Sequence, residues 1–326
     1  MSRRHLAIAA LVAVVLALMP TVLSPFQTIQ LCYGLVFAIA ALGFNLLLGY
    51  TGLLSFGHSA YFGMGAYVVA LLVKYAGVAS MEVFVVAGVL GAAGVAALFG
   101  LVCVRYTRIF FGILTLALSQ VLWSLALKLF WVTGGTDGLR VPTPTLVGGV
   151  FSTAQTRGDK IAFLAHRYYY YVLLLFLVAA GVMWVIVHSP FGKALQAIRD
   201  NETRAEFVGV QVRRYRWVAF VISGAFTGLA GALWVPLNGL TTPDILYWQF
   251  SGRIVFFTVL GGFHTFVGPV IGAIAYNYLE TYAVGFTVYW QLVLGVVLVV
   301  LVLAMPAGLV GIWGQLTARR RRTEPA

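Results

Sequence analysis

Ten long apolar runs constrain the fold of this chain more than any other feature of its sequence. An α-helix rises 1.5 Å per residue, so roughly 20 apolar residues span a hydrocarbon core of about 30 Å. The runs are continuous and do not alternate with period two, which favours helices over the strands of a barrel. The sequence therefore predicts an all-α integral membrane protein, a polytopic bundle of about ten transmembrane helices. The runs lie near residues 6–24, 27–49, 52–73, 83–104, 109–132, 168–188, 215–237, 248–262, 265–284 and 287–306. The eighth run is short and ends at Gly261-Gly262, a pattern typical of a broken or partly re-entrant helix.

The composition excludes a soluble protein. The 326 residues are 61% hydrophobic and only 9% charged, whereas soluble domains carry about 25% charged residues. Both cysteines, Cys32 and Cys103, lie in apolar runs, so we interpret them as small buried side chains rather than a disulfide. The formal net charge of +12 is better explained by basic loops on one side of a membrane than by nucleic acid, which we do not expect as a partner.

The distribution of lysine and arginine predicts the orientation. With the N-terminus inside, fourteen basic residues fall on the inner side and seven elsewhere, which favours ten spans with both termini in the cytoplasm. Arg3-Arg4 precede an apolar stretch that lacks a convincing cleavage site, so we interpret that stretch as a retained first helix. The inner residues are Arg3, Arg4, Arg105, Arg108, Lys193, Arg199, Arg204, Arg213, Arg214, Arg216 and Arg319 to Arg322. The others are Lys74, Lys128, Arg140, Arg157, Lys160, Arg167 and Arg253.

Two loops interrupt a chain that otherwise reads as one transmembrane domain over residues 1–326. The outer loop, 133–167, is rich in glycine and proline and is predicted to cap the outer mouth. The inner loop, 189–216, holds nine of the thirty charged residues in 28 positions. Ser189-Pro190 predicts a helix start, and Asp200-Asn201 predicts a second start, so the loop reads as two short amphipathic helices. Such helices suit either docking to a partner or lying on anionic lipid.

Polar side chains within the apolar runs are candidates for a pathway, because such groups usually face a cavity or a neighbouring helix. The alternative is interhelical hydrogen bonding, which we prefer for Asn45 and Asn277, while Glu280 is expected near the outer end of its span. His58, between Gly57 and Ser59, is the strongest candidate, at a possible helix break; it either contacts substrate or bonds a neighbouring carbonyl. The predicted pathway residues are Asn45, Ser55, His58, Ser59 and Gln120.

Small residues at four-residue spacing predict close helix packing, at Gly224 with Gly228 and at Gly268 with Gly272. The five histidines are scattered, so their spacing predicts no metal site. We find no catalytic arrangement either and expect a transport subunit rather than an enzyme.

Three motifs carry a resemblance to a known family. They are S-P-F-G-K-A-L-x-A-I-R-D-N-E from Ser189 followed by R-Y-R-W-V-A-F-x-I-S-G-A-F-T-G-L-A-G-A-L, G-L-L-S-F-G-H-S-A-Y-F-G-M-G-A-Y from Gly52, and G-G-F-H-T-F-V-G-P-V-I-G-A from Gly261. Together they resemble the LivM-type permeases of branched-chain amino-acid ABC importers. The resemblance implies an ABC importer permease fold in the bacterial inner membrane. It also implies a second homologous permease, two ABC ATPase subunits and an extracytoplasmic binding protein.

In this family the inner loop is the coupling segment that docks on an ATPase. The chain has no G-x-x-x-x-G-K-[ST] phosphate loop, because Gly192-Lys193 is followed by Ala194, so ATP hydrolysis belongs to partner subunits and no cofactor is expected here. The general importer loop has Glu-Ala-Ala where this chain has Thr203-Arg204-Ala205, with Glu202 one place earlier. The resemblance assigns docking to Gly192, Lys193, Ala194, Ala197, Ile198, Arg199, Asn201, Glu202, Ala205 and Gly209.

The substrate expected from the family is leucine, isoleucine or valine. Importers of urea, short amides or aromatic acids are the alternative within the family. An ion-coupled secondary transporter is a more distant alternative, because it needs a relay of ionisable groups at mid-membrane and only His58 and Glu280 are available.

Overall fold

The computed structural model describes residues 3–153, 159–304 and 308–311, and it is almost entirely helical. Two two-residue strands, β1 (Leu139–Arg140) and β2 (Leu240–Thr241), pair antiparallel. The helices are α1 (Arg3–Val22), α2 (Pro25–Thr51), α3 (His58–Ala76), α4 (Met81–Cys103), α5 (Arg108–Lys128), α6 (Phe130–Thr133), α7 (Lys160–Ala162), α8 (Tyr169–His188), α9 (Pro190–Asp200), α10 (Glu202–Phe207), α11 (Val212–Asn238), α12 (Trp248–Gly261), α13 (Gly268–Phe286) and α14 (Trp290–Ala304).

Each of the ten apolar runs carries a helix, so the prediction of a helical membrane bundle is confirmed. Within the described ranges, six helical stretches are long and apolar enough to cross a membrane: Pro25–Thr51, His58–Ala76, Met81–Cys103, Arg108–Lys128, Lys160–His188 and Val212–Asn238. The chain is therefore a multi-pass membrane protein. Arg157 and Arg319 to Arg322, which entered the charge count, lie outside the described residues.

Two boundaries differ from the sequence prediction. The run at 52–73 was expected to be helical from its start, but α3 begins only at His58. The outer loop was expected to reach residue 167, but helical structure begins at Lys160 and runs through a π-helical turn, Phe163–Tyr168, into α8. The late start of α3 is accompanied by a distant contact, in which the backbone N–H of Phe56 donates to Thr115. The early start at Lys160 follows a local cap, in which Asp159 accepts from the backbone N–H of Ile161.

Helix α2 is the centre of the bundle. It begins at a capping box, in which Ser24 accepts from the backbone N–H of Gln27, and ends at Gly52, whose φ of +74° only glycine adopts without strain. The helix is apolar on every face, as expected of a helix surrounded by others. It packs against α8, α11, α12 and α13, and most of its residues are buried.

Small residues allow α4 and α11 to approach closely. Gly224 and Gly228 of α11 lie against Ala96 and Ala92 of α4, and a β-carbon at either glycine would overlap the facing alanine. Close approach of this kind is a usual source of helix association in membranes, where apolar burial drives little.

A second close approach joins α12 to α13. A β-carbon at Gly268 would collide with the carbonyl oxygen of Gly262, and one at Gly272 with that of Phe257. These glycines therefore hold the turn between the two helices tight.

Candidate functional site

Residues 52–57, which we call the 52–57 segment, run from the end of α2 back into the bundle without helical structure. At its start, Gly52 lies beside the side chain of Arg199 in α9. Near its end, the backbone N–H of Phe56 donates to the hydroxyl of Thr115 in α5, at 3.2 Å. Irregular backbone at membrane depth is tolerated only where protein buries it or where it lines a cavity. This segment is therefore a feature that a purely structural bundle does not need.

His58 joins the 52–57 segment to α11 from the first turn of α3. Its side chain is fully buried, with Nδ1 3.0 Å from the hydroxyl of Ser55 and Nε2 2.8 Å from the hydroxyl of Ser223. The ring also meets Phe44 edge-on, with centroids 4.8 Å apart. With both ring nitrogens bonded, His58 links three elements of the bundle rather than offering a free nitrogen to the pathway.

Helix α12 is the second broken element. Its 14 residues extend about 21 Å, which is too short to cross a hydrocarbon core of about 30 Å. It is preceded by a 3₁₀ turn, Pro243–Leu246, whose Leu246 side chain lies against Gly63 of α3. The hydroxyl of Ser251 accepts from the backbone N–H of Ser59 at 2.8 Å and lies 2.9 Å from its hydroxyl. The first turns of α3 and α12 therefore meet inside the bundle.

A cavity of about 630 Å³ lies beside this junction. Phe56 of the 52–57 segment lines it, together with α12 and α14. Most of its wall is aromatic or aliphatic, but Arg253 of α12 also lines it. The guanidinium of Arg253 donates to the carboxylate of Glu280 in α13, forming an ion pair. The sequence alone places Glu280 near the outer end of its span without a partner and assigns Arg253 no site. The sequence does contain a signal for a site here, because Arg253 interrupts the eighth apolar run.

The inner loop folds as its capping residues predict. Ser189 caps α9 by accepting from the backbone N–H of Gly192, and Asn201 caps α10 by accepting from that of Arg204. Gly209 follows α10 with φ at +87°, and the space around it is open. The prediction of two short helices is therefore confirmed, and Gly209 lies just after the second of them.

Three contacts anchor this loop to the bundle. Nη1 of Arg199 donates to the carbonyl of Gly49 in α2 at 2.6 Å. Arg216 of α11 forms a bidentate pair with Glu202, at 2.6 and 2.8 Å. The ring of Phe191 stacks on Tyr215 with centroids 5.5 Å apart. The loop is therefore held against both α2 and α11.

The ten residues assigned to docking differ in their exposure and fall into three groups. Gly192, Ile198 and Ala205 are buried against the bundle, so their side chains or backbone seat the loop. The exposed members are Lys193, Ala197, Arg199, Asn201 and Gly209, and Ala194 and Glu202 are half-buried. Sequence reasoning missed Phe207 and Val208, which follow directly and are 86% and 79% exposed.

The remaining pathway predictions fall inside the bundle. Asn45 is buried in α2 and donates to the carbonyl of Thr265 at 3.4 Å, while its Oδ1 has no partner among the described residues. Gln120 in α5 is half-buried, and its amide nitrogen likewise has no partner in that part of the chain. Neither residue lines the large cavity. Within the described ranges, no group of three or more His, Cys, Asp or Glu could hold a metal ion.

A non-helical segment and a short helix that meet beside a cavity in a multi-pass bundle are typical of membrane transport proteins, in which such irregular backbone lines a pathway. The model of one family, described as "branched-chain amino acid transport system / permease component", matches residues 28–303. The chain belongs to this family.

Named relatives agree with that assignment. The chain is 29% identical over 288 residues to the high-affinity branched-chain amino acid transport system permease protein LivM of Escherichia coli K12, covering 84% of this chain and 68% of that protein. It is 28% identical to LivM of Salmonella typhimurium over the same shares. Its identity to the LivH permease protein of Salmonella typhimurium is 26%, over 85% of this chain and 92% of that protein. No solved structure gives a significant match.

Proposed function

We propose that this chain is the permease subunit of an ATP-driven importer of leucine, isoleucine and valine in the bacterial cytoplasmic membrane. About ten helices cross that membrane, counting α1, α13, α14 and also α12, which spans it only together with the preceding turn Pro243–Leu246, and both termini lie in the cytoplasm. Support for the substrate comes from the names of the relatives, and support for the orientation comes from the basic residues that cluster near the inner loop.

The observation that carries the proposal is the construction of the inner loop. Its apolar stripe, Leu195 and Ile198, is buried against the protein's own bundle and is not available to lipid. This arrangement favours docking over a helix lying on the membrane surface. What the loop presents outward is the adjacent apolar pair Phe207-Val208, which Glu206 precedes and Gly209 follows, all of them exposed. Exposed apolar side chains with a polar rim are typical of an interaction site.

We infer that Phe207 and Val208 insert into a cleft of an ATPase subunit. ATP binding then moves the loop, and the anchors at Gly49 and Glu202 transmit that movement to α2 and α11. The nucleotide can bias the pathway only if the ATPases bind the two states of the loop with different affinities. The phosphate-binding residues and the chemistry of hydrolysis belong to those ATPases.

A second homologous permease completes the pathway in this proposal, and an extracytoplasmic binding protein delivers substrate at the end opposite the inner loop. At that end, β1 and β2 tie the outer loop to the end of α11, which gives a delivered ligand a fixed entrance.

The ion-coupled alternative is less well supported by the side chains. Both nitrogens of His58 bond to serine hydroxyls, and Glu280 is paired with Arg253. A proton relay requires several ionisable groups in contact with one another at mid-membrane, and among the described residues His58 and Glu280 bond to different partners and not to each other.

Co-purification tests the proposal. The tagged chain is purified in mild detergent with its co-expressed partners, and every chain is identified by mass spectrometry. We expect a second permease and one or two ATPases, and expect the double variant Phe207→Ser/Val208→Ser to lose the ATPases while keeping the second permease.

The matched control is Phe286→Ser. Phe286 is 92% exposed and ends α13, at the end of the bundle where Tyr278 bonds to Gln27 and far from the inner loop. It should retain the ATPases. A wild-type chain that purifies without any ATPase, or a double variant that keeps them in full, would refute the docking role.

A further inference from the structure

The ion pair between Arg253 and Glu280 places two opposite charges between α12 and α13. Their side chains are 35% and 15% exposed. Ionisable side chains within a membrane bundle are costly and usually mark a substrate or ion pathway. A buried pair is often no more stabilising than well-packed apolar residues of similar volume. The retention of two opposite charges at this point therefore calls for a ligand.

The position of the pair is what connects it to transport. Arg253 lines the 630 Å³ cavity, and it lies two residues after Ser251, which bonds to Ser59 at the junction of α3 and α12. Glu280 lies on α13, the next helix along the chain. A substrate in the cavity therefore meets Arg253 directly and reaches Glu280, which does not line the cavity, only through its pair with Arg253. Asp244, in the turn before α12, is the other charged residue of the cavity wall.

Arg253 has unused donor capacity. An arginine presents five N–H donors in a planar fork that fits a carboxylate. Among the described residues, its one hydrogen-bond acceptor is Glu280, which receives from Nη2. A second carboxylate can therefore bind the same guanidinium.

The rest of the cavity wall suits a branched aliphatic side chain. It is formed largely by large apolar residues, and a ligand pocket of this size usually combines such a wall with a few polar groups that fix orientation. The large apolar residues of the wall include Trp234 of α11, Trp248, Phe250 and Phe256 of α12, and Trp290 and Leu294 of α14.

We propose that Arg253 and Glu280 form a transient binding site for the zwitterionic head of a branched-chain amino acid. Arg253 binds the α-carboxylate, Glu280 binds the α-ammonium, and the aliphatic side chain lies on the aromatic wall. This inference rests on the proposed function. When the site is empty, the two residues neutralise each other, so no charge is left unpaired in either state. Because Arg253 and Glu280 compete with the ligand for each other, the site binds its ligand weakly, as a transport pathway requires.

The test uses the complete importer in proteoliposomes, with its ATPases inside and the leucine-loaded binding protein outside. Leucine uptake and ATP hydrolysis are measured for the wild type, Arg253→Met, Glu280→Met and the double variant Arg253→Met/Glu280→Met. We expect the double variant to lose about tenfold or more in uptake, the scale of one lost charge-assisted hydrogen bond. Its ATP hydrolysis, stimulated by the binding protein, should stay close to that of the wild type.

If the pair is merely structural, the double variant should behave differently. Each single variant would then be impaired because it strands one charge, and the double variant would recover, since it strands none. Recovery of uptake in the double variant would overturn the site. Lys128→Met, which removes an exposed charge at the end of α5, is the control and should transport normally.

Two safeguards keep the outcomes distinct. Every variant must elute as the assembled complex; if the methionine pair does not, Arg253→Gln/Glu280→Gln replaces it with the same expected result. If the wild-type importer does not transport leucine, the proposed function falls and the site falls with it. If the wild type transports and the double variant transports equally well, the site alone is refuted.

Discussion

Replacing Gly88 by alanine tests whether close helix contact, rather than apolar burial, holds the bundle together. Gly88 lies on α4 where that helix meets α3 and α11, and a β-carbon there would stand 2.7 Å from the β-carbon of Ala232 and 3.2 Å from the carbonyl oxygen of Gly65. Carbon atoms pack at about 3.5–4.0 Å, so α4 and α11 must separate by about 1 Å. Overpacking of this kind costs about 1–3 kcal/mol.

The matched control is Gly94→Ala on the same helix. Gly94 is exposed and has nothing within 4 Å of its β-position, so the substitution there brings the same gain in helix propensity without the contact. The difference between the two variants isolates the contact and should be about 1–3 kcal/mol in the free energy of unfolding. Ala232→Gly should restore much of the loss in Gly88→Ala, since it removes the shorter of the two overlaps.

The assay is unfolding by SDS in mixed micelles, followed by tryptophan fluorescence. If Gly88→Ala and Gly94→Ala unfold at the same SDS fraction, or if Ala232→Gly brings no recovery, the argument from close helix approach is wrong.

Three further predictions concern the loop and the junction. Gly209→Val should weaken ATPase retention on co-purification, because a β-branched residue at φ of +87° costs at least about 1–2 kcal/mol; undiminished retention would show that the cap is not needed. Glu202→Ala removes the partner of Arg216, whose side chain is only 7% exposed. Helix α10 should then become more sensitive to limited proteolysis, and an unchanged cleavage rate would exclude the anchor. His58→Ala should lower the free energy of unfolding by about 1–3 kcal/mol, because the buried hydroxyl of Ser223 loses its partner; SDS unfolding measures this, and a variant as stable as the wild type would contradict it.

The local features of the inner loop could be predicted from sequence because helix caps depend on a few neighbouring residues. Ser189, Asn201 and Gly209 each act within about one turn of their own position, and each lies where its residue type indicates. The positions of the apolar helices were predictable for a similar reason, since hydropathy is a property of the segment itself.

The segment between α2 and α3 could be predicted only in part. Gly52 and Gly57 indicate a break, but the partners that hold the segment are far away in the sequence: Phe56 donates to Thr115, and the adjacent His58 bonds to Ser223. The pair of Arg253 and Glu280 was missed for the same reason, because the two lie on different helices and only the fold brings them together. Hydropathy does not encode such partners.

The His58–Ser223 contact also constrains how the protein is made. During synthesis, α2, the 52–57 segment and α3 emerge well before Ser223, which lies 165 residues after His58. Until α5 and α11 arrive, the imidazole and the irregular backbone beside it lack the groups that satisfy them in the finished bundle, and hydrocarbon cannot supply those groups. The nascent α2–α3 hairpin therefore needs water around these groups, at the insertion machinery or the membrane interface, until α11 has been made. Its final burial is a late step of biogenesis.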